Sequence, residues 1–231
     1  MKKWLVISVI FNLMIVVCIV FISLTWRGFI ETVAQDFSQT HYQQKATMFE
    51  SMPVRDSSFI FLGNSITEGA NWAELFDNPN IINRGIGGDI TEGVLMRINE
   101  IIRHQPLKLF IAIGTNDIGW KVPPAKIIEN YLSIVENVRA SSPNTKIYIQ
   151  SILPVAIPSG SLLLHNNEGV LEVNQGLKKI CKDLDITYLD LHSHFEDETG
   201  KLKSELTNDG LHLLGKGYLL WKDLIQDDVS E

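Results

Sequence analysis

The chain has 231 residues, a formal net charge of −7 and 45% hydrophobic residues. No cluster of Lys and Arg interleaves with aromatics, so the composition excludes a nucleic-acid-binding surface, and the acidity reads as solubility. Cys18 and Cys181, the two cysteines, offer no disulfide framework, and a domain of roughly 180 residues, burying about 70% of its unfolded surface, needs none.

The run from Trp4 to Trp26 spans 23 residues without a charge. As a helix it would extend roughly 34 Å, enough for a hydrocarbon core of about 30 Å. Tryptophans stand at both ends, where interfacial aromatics belong, and Lys2 and Lys3 favour a cytoplasmic N-terminus. Residues 1–26 are therefore expected to form a signal anchor. This transmembrane helix would hold the remainder outside the cytoplasm, in a periplasm or at the cell surface. A cleaved signal, releasing a secreted domain, is the alternative. No small-x-small cleavage site stands near Ser23 to Arg27, and Val17 ahead of Cys18 does not suit a lipoprotein signal. Residues 27–53 read as a linker or amphipathic helix, with Phe29, Val33, Phe37, Tyr42 and Phe49 among scattered apolar positions. Pro53 and Arg55-Asp56 open the domain at 54–231.

From there strand and helix signals alternate. Strands are expected at 58–62, 80–83, 109–113, 146–151 and 187–191, short and mostly continuously apolar, as in a parallel sheet buried on both faces. Helical spacing links Ile90, Val94, Ile98 and Ile101, then Ile127 to Val138 behind Pro123-Pro124, then Val170 to Leu184. A last helix runs from about Gly215 to Ile225. The alternation implies right-handed crossovers and a three-layer α/β/α sandwich, with a five-stranded parallel, flavodoxin-like sheet.

The first strand ends in Gly63-Asn64-Ser65-Ile66-Thr67-Glu68. A serine there is either a helix N-cap or a nucleophile at the carboxyl edge, where ligands bind in open α/β sheets. Asp209-Gly210-Leu211-His212 is either a surface turn or an acid–base pair, three residues apart and able to face one way. Gly85-Ile86-Gly87-Gly88-Asp89 and Gly114-Thr115-Asn116-Asp117 follow the second and third strands. Each is either an ordinary polar turn or a source of oxyanion donors, backbone N–H in one and a side-chain amide in the other. The glycine spacing does not fit a dinucleotide site. In a 2-1-3-4-5 strand order all these loops border the crevice where the winding reverses.

Those blocks, in that order, resemble the SGNH hydrolases of the GDSL esterase superfamily. The resemblance covers about Ser57 to Leu224. It implies Ser65 as nucleophile, His212 as base and Asp209 as the orienting acid. Ser65 and Gly88 would supply oxyanion-hole N–H groups and Asn116 an amide. The wording from Asn83 to Thr91 is similar to a bacterial branch near platelet-activating-factor acetylhydrolases and carbohydrate O-acetylesterases, which implies short acyl groups on a small-molecule or glycan ester. The family's usual Asp is replaced by Asn64, outside the triad. The Gly-x-Ser-x-Gly motif of α/β-hydrolases is absent, since Thr67 holds its last position. No cofactor or metal is implied, and His192 and His194 have no completing ligand motif. Trp120 is a candidate sugar platform. Leu162 and Leu163, in a variable segment from Val155 to Glu168, are candidate acyl contacts or ordinary packing. A lysophospholipase or thioesterase, or a silent membrane-tethered binding protein, are the competing readings.

Overall fold

The computed structural model describes residues 2–157 and 164–230; within the first helix, the side chains at 2–11, 26, 27, 29–31, 33–35 and 37 lie outside the described residues. Two compact units divide the chain, Met1–Thr40 and His41–Glu231.

Helix α1 runs Lys2–Ser51. In the first unit its described apolar side chains, Leu13, Phe21 and Leu24 among them, stand exposed. The transmembrane helix expected over residues 1–26 is not found: among the described residues no helix is long and apolar enough to cross a membrane. The side chains of Trp4 to Phe11 and of Trp26 lie outside the described residues.

The second unit begins inside the segment read as a linker. The last turns of α1 pack there because Phe49 is buried, with the Arg84 guanidinium 4.6 Å from its ring centroid. Arg103 closes the helix end by donating to the carbonyls of Phe49 and Met52 at 2.7 and 2.9 Å. Just beyond, the Arg55 N–H donates to Nδ1 of buried His104 at 2.9 Å.

Five short strands form the sheet: β1 Phe59–Gly63, β2 Ile81–Gly85, β3 Lys108–Ala112, β4 Lys146–Gln150 and β5 Thr187–Leu189. Their order is β2-β1-β3-β4-β5, with every neighbouring pair parallel. This is the expected flavodoxin-like winding. The helices between them, in chain order, are α2 Ser65–Glu68, α3 Trp72–Leu75, α4 Thr91–Met96, α5 Ile98–Ile102, α6 Thr115–Gly119, α7 Pro124–Ser141, α8 Asn167–Leu184, α9 His192–Phe195 and α10 Gly215–Ser230.

Alternation along each strand separates two cores. Ile60, Leu62, Leu109, Ile111, Ile147 and Ile149 face α4, α5, α7 and α8 through Val94, Ile101, Ile134 and Leu177. Phe61, Phe110 and Tyr148 face the other layer, with Trp72, Phe195, Trp221 and Ile225. There Phe61 stacks on Trp72 and on Phe110, with centroids 4.3 and 4.8 Å apart. The register brings Gly63 level with Gly85 and with Ala112. The three loops that follow β1, β2 and β3 therefore leave the sheet side by side at the carboxyl edge.

One expected helix is two. The apolar spacing from Ile90 to Ile101 breaks at Arg97, whose φ of −108° and ψ of 13° are not helical. Its buried guanidinium turns inward to the ends of β1 and β2, donating to the carbonyls of Gly63 and Arg84.

Candidate active site

Ser65 is the first residue of α2, and Asn64 is the cap: its Oδ1 accepts the Ile66 N–H at 3.0 Å. The cap therefore has its acceptor, and Asn and Asp cap comparably. The chain turns sharply because Gly63 lets α2 fold back onto the strand end. A Cβ there would stand 2.2 Å from Thr67 Oγ1 and 2.4 Å from the Ala112 carbonyl. Tyr218 of α10 anchors the turn from the other side, donating to the Ile66 carbonyl at 2.9 Å.

His212 reaches Ser65 from 147 residues downstream, with Nε2 3.0 Å from Oγ. Its Nδ1 lies 2.6 Å from Asp209 Oδ2. The pair does not sit on a helix. An antiparallel bridge between Thr207 and Leu213 pinches the loop. Asp209 Oδ1 then accepts the Leu211 and His212 N–H groups at 2.9 and 2.8 Å, as aspartates do in tight turns. Thr207 Oγ1 accepts the Gly210 N–H, and the Gly210 carbonyl accepts from Ala156 N–H. Burial opposes ionisation of Asp209, but the His212 ring and the two loop N–H groups outweigh it and hold the carboxyl at about 2. An ionised Asp209 fixes the imidazole proton on Nδ1 and leaves Nε2 free to accept from Ser65. Both side chains remain close to half exposed, at 45 and 47%.

The opposite side of Ser65 is built on buried polar groups. The Asn116 amide donates to the Asp89 carbonyl at 2.9 Å, which ties the loop after β3 to the loop after β2. The Asp89 carboxylate accepts from Arg97 Nε and Nη2 at 3.0 and 2.8 Å. Burial pushes that carboxyl up to about 6 even with Arg97 beside it. Asp117 accepts the Thr91 N–H on both oxygens at 3.1 Å, so the N-terminus of α4 is spent on Asp117 and not on the crevice. Asn130 donates to Thr91 Oγ1 from α7. Among the described residues the N–H groups of Ser65 and Gly88 carry no hydrogen-bond partner. N–H groups without a partner are the kind of donor that the negative charge of a tetrahedral adduct requires.

A family model described as GDSL-like lipase/acylhydrolase matches residues 61–220. The chain belongs to that family. This acylhydrolase is 28% identical over 171 residues to the rat platelet-activating factor acetylhydrolase IB subunit alpha2, covering 71% of its own length and 72% of the relative's. It superimposes on a Streptococcus pneumoniae structure named for platelet activating factor, at 28% identity and a TM-score of 0.77, over 86% of this chain and 97% of that one. An acylhydrolase from Bacteroides fragilis aligns at 27% identity and a TM-score of 0.72, over 81 and 95%. The family and these relatives make the chain an ester-cleaving hydrolase.

Trp120, half-buried, ends α6 one turn beyond Asn116. Leu162 and Leu163 lie outside the described residues. The described end of that segment returns to α6, where the Leu164 N–H donates to the Gly119 carbonyl at 3.0 Å. His165 packs against Gly119, and both its ring nitrogens are buried without a partner among the described residues. The supporting residues Asp89, Arg97, Asp117 and Glu68 were not picked out as functional from sequence. Arg97 carried a signal: it sits three residues after Val94 and four before Ile101, on the inward face.

Proposed function

We propose that this acylhydrolase is a serine esterase acting on short-chain, acetyl esters of carbohydrate or cell-envelope material through an acyl-enzyme. The observation that carries the reading is the unbroken relay Asp209–His212–Ser65, at 2.6 and 3.0 Å. In the first half-reaction Ser65 Oγ attacks the ester carbonyl carbon as His212 Nε2 takes the hydroxyl proton. The tetrahedral oxyanion is received by the N–H groups of Ser65 and Gly88 and by the Asn116 amide. His212 returns its proton to the leaving alcohol, the ester C–O bond breaks, and the acyl group stays on Ser65. Water then attacks the acyl-enzyme by the same route and releases the acid.

Acetyl specificity is supported by the acetylhydrolase named among the relatives, and the sugar side by Trp120, proposed as a stacking platform at the crevice. Leu162 and Leu163 are kept, from sequence alone, as candidate acyl contacts. Hydrolysis of nitrophenyl acetate should exceed that of nitrophenyl decanoate at equal concentration; the reverse order would move the reading to a lysophospholipase. The placement outside the cytoplasm is proposed from Lys2, Lys3 and the uncharged run to Trp26. Intact mass in a washed membrane fraction separates the anchor from the secreted alternative: a chain cleaved before residue 27 or recovered entirely in the soluble fraction refutes anchoring.

A further inference from the structure

The proposed chemistry gives no role to the half-buried acid that closes the turn begun by Ser65. Glu68 ends α2, the short turn that Ser65 begins. Its Oε2 accepts the Gly87 N–H at 2.6 Å and lies 3.2 Å from His41 Nε2. Its Oε1 lies 2.7 Å from Lys45 Nζ. The side chain is 23% exposed. Burial would raise its pKa; the hydrogen bonds from Lys45 and His41, and then that from Gly87, lower it instead, so the carboxylate stays charged. The contact is close on every side, since a Cβ on Gly87 would stand 3.1 Å from Oε2 and 3.3 Å from the His41 ring. Beyond that loop the Tyr42 hydroxyl donates to the Gly93 carbonyl in α4 at 2.7 Å. His41, Lys45 and Phe49 recur every four residues, one face of α1 laid along the segment that contains Gly88.

We propose that Glu68 is a positioning residue for the Gly87–Gly88 turn, set in place by His41 and Lys45, so that the last turns of α1 belong to the active site. The proposal rests on the reading of Gly88 as an oxyanion donor. The turn is closed by the Asp89 N–H donating to the Ile86 carbonyl at 3.1 Å, but that bond does not fix its central peptide: Gly87 and Gly88 carry no Cβ, Gly88 has φ +77°, and the plane that carries the Gly88 N–H can rotate between them. Fixing the preceding N–H on a carboxylate orients the peptide planes on which the Gly88 donor depends. Such a donor acts mainly in the transition state, and Glu68 itself touches no substrate. Its loss should therefore lower kcat and leave KM nearly unchanged.

The test measures nitrophenyl acetate hydrolysis and fluorophosphonate labelling on the full chain and its variants. Loss of a whole oxyanion donor is worth about 10²–10³-fold, and misorienting one should recover part of that. Glu68→Ala should lower kcat by roughly 10–100-fold, with KM within about twofold. Glu68→Gln keeps an acceptor for Gly87 and should fall between Glu68→Ala and the wild type. Lys45→Met and His41→Ala approach the same carboxylate from partly exposed positions, and each should lower kcat about 3-fold; they decide the matter should Glu68→Ala fail to fold. Wild-type kcat in these variants, or a loss carried by KM, overturns the proposal. An unlabelled, inactive wild-type chain would instead overturn the esterase reading beneath it.

Discussion

The two flanks of Ser65 are held by different means. On the His212 side, Asp209 and His212 are nearly half exposed and hang from a loop whose own N–H groups bind Asp209. On the Gly88 and Asn116 side, Asp89 and Arg97 are buried to 1 and 3% exposure and bridge the ends of β1, β2 and α4. The difference matches the demands that the proposed mechanism places on each flank. A general base must exchange protons with water during each turnover, so solvent contact helps it. Oxyanion donors act by standing in place before charge develops, and a rigid, dry support serves that.

The largest separations between the flanks should come from the relay. Ser65→Ala or His212→Ala should lower kcat by about 10⁵–10⁶-fold with the fold intact, measured as ester hydrolysis beside a thermal melt. Asp209→Asn should cost about 10⁴-fold, because an amide no longer selects the Nδ1–H tautomer. On the other flank Asn116→Ala should lose about 10²–10³-fold and remain measurable. Arg97→Met should do what no relay variant does: leave Asp89 buried without its partner and destabilise the fold by about 3–5 kcal/mol, seen as a Tm lowered by roughly 10 °C. Equal stability losses in Arg97→Met and His212→Ala would erase the distinction.

Acid titration sharpens the same contrast with a smaller effect. Asp209 sits at about 2, below its ordinary 3.8. Its ionised form therefore stabilises the fold above about pH 4, and that contribution is lost as the pH falls through 2. Protonation of Asp209 should accordingly leave kcat/KM unchanged above about pH 4. Asp89 has the opposite sign: raised to about 6, its protonated form is the one favoured by folding, and that contribution, present below about pH 4, fades as the pH rises through 6. Smallest of all, Asn64→Asp preserves the N-cap and should change turnover by no more than about threefold.

Much of this was legible in the residues. The five strands stand within one or two positions of their expected places, because continuous apolar runs bounded by turn residues leave few alternatives. The loops after β1, β2 and β3 meet because parallel strands in this order must deliver them to one edge. The support beneath them was hidden for a physical reason: Arg97, Asp89, Asp117 and Glu68 are charged, and charge in a sequence is read as solvent-facing. Their inward placement depends on partners far along the chain, such as Asp117 for Thr91 and Glu68 for Gly87, 26 and 19 residues apart. The last turns of α1 were hidden likewise, since His41, Tyr42 and Lys45 look like linker residues until the Gly87 loop lies against them.

The central claim is that Ser65 is the nucleophile and His212 its base. The most direct measurement is mass spectrometry of the full chain after reaction with a fluorophosphonate. The account predicts a single adduct on the peptide containing Ser65, lost in Ser65→Ala and slowed strongly in His212→Ala. An adduct on another residue, or no adduct while ester hydrolysis proceeds, would contradict it.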